Sequence, residues 1–298
     1  MIRLKLPKHT PFLNGKGGVD IGLKPIEGLH WLEVDNKYVE EMAVKKKLLS
    51  IHRNKVLQAS PQSLPAQAEM LECLLENLSK FHAHSFSVSP DKKNLYIKET
   101  NESLPLKDKQ ISPIETASLI VQEDLVLMIP RGNKFYLEAA SLNAPSHWSL
   151  VKKFSKSLLD LHEGVPDYKD QIGERVNGIF KKLPVDRILE RYNWSIYDNP
   201  ELYQPAHSKP QVDIHSTDPK DLFLRVERQT IRKLPSSNSV LFTIRVHVDP
   251  LLSIKNKIDL LIGLEQAILN LSPQMKEYKA INQIEDSVLK WIRTAKNK

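Results

Sequence analysis

Residues 222–251, LFLRVERQTIRKLPSSNSVLFTIRVHVDPL, constrain the fold more than any other stretch. Two runs rich in β-branched and aromatic residues flank a Pro-Ser-Ser-Asn break, the composition of a long β-hairpin. A six-residue loop, Leu234–Ser239, sets Val226 opposite Val248 and Thr230 opposite Ile244, with Leu222 and Leu224 continuing that side. Arg228 and Arg232 fall there too, as packing or rim groups. On the reverse side Arg225 then faces Asp249, Glu227 faces His247, and Gln229 faces Arg245. The expected ribbon is apolar on one face and ionic on the other. Exposed to water, the ionic face is a cross-strand ladder of salt bridges. Covered, it is a polar pocket floor with fixed donors and acceptors.

The rest of the chain can supply the cover. With 298 residues, 41% hydrophobic, it can bury one large core or two modest ones. No apolar run approaches the roughly 18 residues of a membrane span. The start, MIRLKLPKHTPF, lacks the hydrophobic region of a secretory signal. A single cysteine, Cys73, excludes an internal disulfide and a cysteine-ligated cluster or zinc, and points to a reducing compartment, the cytoplasm. Net charge +7 raises a nucleic-acid reading, but the lysines fall in short groups on amphipathic helices, without a zinc-finger or single-strand-binding signature. Neither nucleic acid nor membrane is expected as a partner.

Glycines interrupt the first 37 residues, and Asp20 stands at the third glycine position of a dinucleotide fingerprint, so that motif fails. Helices are expected over Tyr38–Asn54 and Pro65–Lys80, short strands in FSVS and NLYIKE, and a second hairpin from Leu125–Ile129 and Lys134–Ala140. Ser146 then caps an expected helix over 147–162, and another helix runs over about 169–183. Residues 187–221 read as loop-rich, and two helices, about 252–271 and 274–294, close the chain. Antiparallel hairpins surrounded by helices indicate an α+β fold. No linker is evident, so residues 1–298 read as one domain with a helical N-terminal elaboration over about 1–80.

Several groups could carry chemistry. His162 shares the apolar face of the 147–162 helix with Phe154 and Leu158, which suits a haem-iron ligand or a core histidine bonded to a carbonyl. The hairpin arginines could hold carboxylates and Glu227 a cation. Asn193-Trp194 lies in a polar–aromatic segment that either binds a ligand or plugs the core. His82 and His84 could share a strand face, without a nominated third ligand for a metal. Cys73 sits among leucines, as a small hydrophobe does. No GxSxG, P-loop or HExxH is present, and no flavin, nicotinamide or iron–sulfur site is evident.

Three segments go further. PSHWSLVKKFSKSLLDLHEGVPDY (145–168), NWSIYDNPELYQP (193–205) and the hairpin resemble the haem-dependent oxidative N-demethylase family, over roughly residues 10–260. The resemblance implies a PAS-like antiparallel sheet flanked by helices and binding haem b. The implied reaction is O2-dependent oxidation of a small methylated amine such as dimethylamine. Electrons would come from NADPH through FMN and an iron–sulfur centre on reductase or ferredoxin-type partner chains. On that reading His162, followed by Pro166 and Tyr168, is the iron ligand. Tyr168, Arg225, Arg245, Trp194 and His147 would contact the cofactor. Glu227 would act as the catalytic carboxylate and, with Gln229, His247 and Asn193, hold the substrate. His147 departs from the arginine expected before the tryptophan. The same pocket without turnover would be a haem or small-ligand sensor.

Overall fold

The structure, a computed structural model, describes residues 4–15, 22–108, 110–166, 173–205 and 218–297. Helix and sheet are mixed, as expected. Helices α1 (Tyr38–Val56) and α2 (Leu64–Phe81) stand where the apolar spacing put them, and strands β3 (Phe86–Val88), β4 (Asn94–Ile97) and β5 (Glu102–Pro105) form a small three-stranded sheet. The short helix α3 (Pro113–Ser118) leads into the second hairpin, β6 (Asp124–Arg131) and β7 (Lys134–Ser141). Together with β1 (Lys24–Ile26), β2 (Leu57–Ala59), β8 (Ile188–Tyr197), β9 (Phe223–Lys233) and β10 (Val240–Pro250), these build a seven-stranded antiparallel sheet in the order β1-β8-β9-β10-β6-β7-β2.

The long hairpin forms, but one residue away from the expected register. The Leu234 amide donates to the Ser239 carbonyl at 2.8 Å, and Thr230 pairs with Thr243, Val226 with His247, and Arg225 with Val248. A one-residue slip moves one strand's side chains to the opposite face. The ionic residues are therefore divided. Arg225, Glu227 and Gln229 share one face, here the front, with Val246 and Val248; Arg245, His247 and Asp249 lie on the back with Arg228 and Thr230. Strand β8 extends both faces, placing Arg191, Asn193, Ser195 and Tyr197 in front and Tyr192, Trp194 and Ile196 behind.

Three other expectations need correction. Residues 188–197, read as loop, are the ten-residue strand β8. Its polar side chains lie on both faces, so no simple alternation marked it. The helix expected over 147–162 breaks into α4 (Leu150–Lys153) and α5 (Leu158–Leu161). Between them Ser155 has φ +59°, and residues 155–156 exchange backbone hydrogen bonds with Leu137 of β7, so edge pairing wins over helix continuation. Phe154 thus lies outside the turn that Leu158 shares with His162. Helix α6 (Gly173–Lys182) matches the described part of the next expected helix, whose residues 169–172 lie outside the described residues. At the C-terminus, α7 (Ile258–Leu269) is followed by α8 (Pro273–Tyr278) and α9 (Glu285–Lys296), the last two separated at Ala280, φ +54°.

Both faces are covered. On the front, Leu150, Leu158, Leu161, Phe180 and Leu183 pack over Ile231, Val240 and Val126. On the back, α7 and α9 cover Trp194, Leu224 and Val226, while Trp31, α1 and α2 cover Leu125, Leu127 and Leu241. Each fully buried Leu or Ile contributes about 1.5–3 kcal/mol. The N-terminal turn at Pro11–Asn14 lies so close to α7 that a Cβ on Gly263 would sit 2.7 Å from Leu13 Cα.

Candidate functional site

Glu227 is the hub of the front face. Its carboxylate accepts hydrogen bonds from Ser146 Oγ, from Gln229 Nε2 at 2.8 Å and from Asn193 Nδ2 at 3.3 Å. Ser146 Oγ in turn accepts from Arg225 Nε at 2.9 Å. The Arg225 guanidinium also donates to the carbonyls of Ala144, Pro145, Glu201 and Leu202. Arg225 is thus a tie between β9 and two loops, and burial lowers its pKa below the ordinary arginine value. Tyr197 lies against this guanidinium at 5.4 Å and against the His147 ring at 4.9 Å.

Lysine and histidine complete the patch. Lys279, at the end of α8, is buried against β8 and donates to Asn193 Oδ1 at 2.8 Å and to the Trp194 carbonyl at 2.6 Å. Burial pushes its ammonium down to about 8, against the pull of Glu227. His162, at the end of α5, bonds through Nδ1 to the Leu158 carbonyl at 2.9 Å. That bond selects the tautomer with the proton on Nδ1 and the lone pair on Nε2, the arrangement seen in metal-bound imidazoles. Burial first, then the charges of Arg191 and Lys153, pull its pKa down to about 4, so the ring is neutral at pH 7. The charge of Arg191 also acts on Lys279.

The back face is a different device. Arg245 pairs with Asp35 at 2.9 Å and Glu41 at 2.8 Å; Arg228 pairs with Glu190 and donates to the Trp31 carbonyl at 3.0 Å. Glu33 sits between His247 at 2.7 Å, Lys8 at 2.7 Å and His9 at 3.0 Å. Burial alone would raise the Glu33 carboxyl, yet the hydrogen bonds of His247, His9 and Lys8 hold it far below the usual carboxylate range. Arg245 is only 1% exposed and Arg228 3%. Arg245 and Arg228, buried and paired in this way, hold elements together rather than await a ligand.

Of the residues singled out from sequence, the structure thus gathers Glu227, Gln229, Asn193, Arg225 and His147 on the front, while His162, bonded to Leu158, feels the charge of Arg191. It separates Arg245, His247 and Trp194 from them. Trp194 packs against Phe12 at 5.9 Å in the back core, and Arg245 and His247 belong to the ion network. Tyr168 lies outside the described residues. His82 and His84 follow α2 in a turn, not a strand, with rings 6.2 Å apart. Sequence reasoning missed Ser146 as more than a cap, and missed Arg191, Lys279, Glu33, Asp35, Glu41 and His9. Only the alternating Glu33-Val34-Asp35 offered a signal. The others are joined by long-range pairings, as for His9 and Tyr192 across 183 residues. A cleft of about 100 Å³ between α1 and α4, lined by His52, Trp148 and Tyr203, is far below the roughly 300 Å³ at which cofactor sites begin.

A family model described as haem-dependent oxidative N-demethylase, alpha subunit-like, matches residues 22–289 of the 298. The match takes in β1 through most of α9, and hence the whole front-face cluster. Lys8 and His9 precede it.

Proposed function

The chain belongs to the haem-dependent oxidative N-demethylase, alpha subunit-like family, and we propose from that premise that it is the haem-binding subunit of an oxidoreductase acting on a small methylated amine. The observation that carries the reading is the His162 imidazole. It is neutral at pH 7 and anchored through Nδ1, so its Nε2 has the electronic form an iron ligand needs. On this reading His162 would hold the iron, and Arg191 and Lys153, whose charges act on its ring, are the candidates for the propionates. Arg245 and Trp194, facing backwards, take no part. Haem b supplies O2-dependent oxidation of an N-methyl group, giving formaldehyde and the demethylated amine.

The chain's own residues orient and charge the site. Glu227 is the counter-ion for a substrate ammonium, since an alkylammonium leaving water needs a carboxylate partner. Gln229 and Asn193 fix the carboxylate's direction, and Ser146 couples it to Arg225. Electrons would come from partner subunits bearing NADPH, FMN and iron–sulfur sites. The antiparallel sheet covered by helices supports a PAS-like single domain over 1–298. No described helix is long and apolar enough to cross a membrane. A cytoplasmic location rests on the lone, buried Cys73.

Formaldehyde release from dimethylamine, with O2 and a surrogate reductant, tests the activity. Turnover abolished by removing O2 supports it; haem binding without turnover favours the sensor reading instead. One observation speaks for that second reading, because Glu227 already accepts three internal hydrogen bonds. Glu227→Gln separates the two roles. A raised KM for the amine with an unchanged haem spectrum supports substrate binding, and loss of haem makes the carboxylate structural.

A further inference from the structure

We propose that His9, Glu33 and His247 form a binding site for one divalent transition-metal ion of the zinc class, on the back of the sheet and separate from the haem site. Their ligand atoms all lie within 4.8 Å of one another. The two Nε2 atoms approach different oxygens of a single carboxylate, His9 at 3.0 Å from Oε1 and His247 at 2.7 Å from Oε2. Two imidazoles and a carboxylate are the donor set of three-ligand zinc and related sites, with the fourth position left to water. Metal–ligand bonds of about 2.0–2.2 Å place tetrahedral donors roughly 3.3–3.6 Å apart, so the two imidazole–carboxylate separations need to widen by less than about 1 Å to admit the ion.

The surroundings support the donors. Tyr192 Oη lies 3.3 Å from His9 Nδ1 and so orients that ring, and the Glu33 amide donates to Glu123 Oε1 at 2.8 Å, which fixes the backbone that carries the carboxylate. In the metal-free state the imidazole protons can sit on Nε2, pointing at Glu33. On binding, each proton moves to Nδ1, where the Tyr192 hydroxyl can turn from donor to acceptor for His9. The Lys8 ammonium now supplies the positive charge, 2.7 Å from Oε1, and its side chain is 47% exposed. It can swing into water when an ion arrives. Arg228, 4.0 Å from the same oxygen, is compensated by Glu190 and stays. The ion would pin the N-terminal segment to β10, a clasp across the sheet's back.

The full chain, treated with a chelator, is titrated with Zn²⁺ by calorimetry, and its melting temperature is followed against free Zn²⁺. One equivalent is expected, with the melting temperature rising as free metal rises. His9→Gln should weaken binding at least about tenfold, as should His247→Gln. Lys8→Met, which removes the competing ammonium from an exposed pair, should tighten it by about twofold to fivefold. His162→Ala should leave the affinity unchanged. Should His247→Gln fail to fold, the partly exposed positions 8 and 9 carry the test. No saturable binding, unaltered affinity in His9→Gln, or loss of the zinc site in His162→Ala overturns the proposal.

Discussion

The two faces of one β-ribbon carry similar side chains and use them differently. On the back, cations meet carboxylates directly, Arg245 with Asp35 and Glu41 and Arg228 with Glu190, and the His247 ring bonds to Glu33. On the front, Glu227 meets neutral donors, while Arg225 meets carbonyls and a hydroxyl. The back stores its charges in closed pairs that fasten the N-terminal third of the chain to the sheet. The front leaves the carboxylate uncompensated by any short ion pair among the described residues, with two cations, Lys279 and Arg225, acting from beyond hydrogen-bond contact. Opposite-charge pairing serves cohesion; a carboxylate held by neutral donors can still attract a cation.

The largest expected effect lies on the back. Arg245→Met strands the buried Glu41 and the half-buried Asp35 and should cost about 3–5 kcal/mol in chemical denaturation, leaving haem affinity of the folded fraction unchanged. A cost below about 1 kcal/mol would put this pair among weak, solvated ones. Next comes Gly263→Ala, whose methyl would press on the backbone of Leu13 and should cost about 1–3 kcal/mol. It should free the N-terminal turn to proteolysis before the sheet is cut; protection equal to the parent chain would remove that turn from the cover.

Acid separates the faces further. The folded His162 pKa of about 4 lies below the roughly 6.5 of an unfolded histidine, so the unfolded chain takes up its proton first. Stability of the haem-free protein should fall as pH drops from about 6.5 towards 4. His247, also lowered by burial, acts in the same sense. The carboxyls of Glu33 and Asp35, held below their ordinary values, add their loss only below about pH 4. His162→Gln should flatten the upper part of that profile, and an unchanged slope would show that the ring is not buried in solution. The smallest effect is Ser146→Ala, which should cost about 1–2 kcal/mol by removing the shared partner of Arg225 and Glu227.

Much of this contrast was hidden in the sequence for a definite reason. Strong 3.6-residue spacing made α1 and α2 legible, and short alternating runs made both hairpins legible. Register is specified only when one side of a strand is clearly apolar. In β9 charges occur on both sides, Arg225 and Glu227 alternating with Arg228 and Arg232, so the pattern tolerated a slip of one. That slip merged two charged surfaces into one. The carboxylates that complete the back come from residues 33–41, which show little periodicity before folding. The break in the 147–162 segment is similarly tertiary, since it depends on the free edge of β7. Glu227 was legible as the carboxylate of the ionic hairpin and Asn193 as part of a polar–aromatic run, and each also lies on a segment that resembles the family; Lys279 lies beyond these segments and is legible only through its contacts.

The most direct test is a haem titration of the parent chain and of His162→Ala, followed by the Soret absorption. The parent should saturate at one haem per chain with the spectrum of a histidine-ligated iron, and the variant should bind at least about tenfold more weakly with that spectrum lost. Equal affinity and identical spectra would mean that the iron is held elsewhere, and the assignment of the front face would fall.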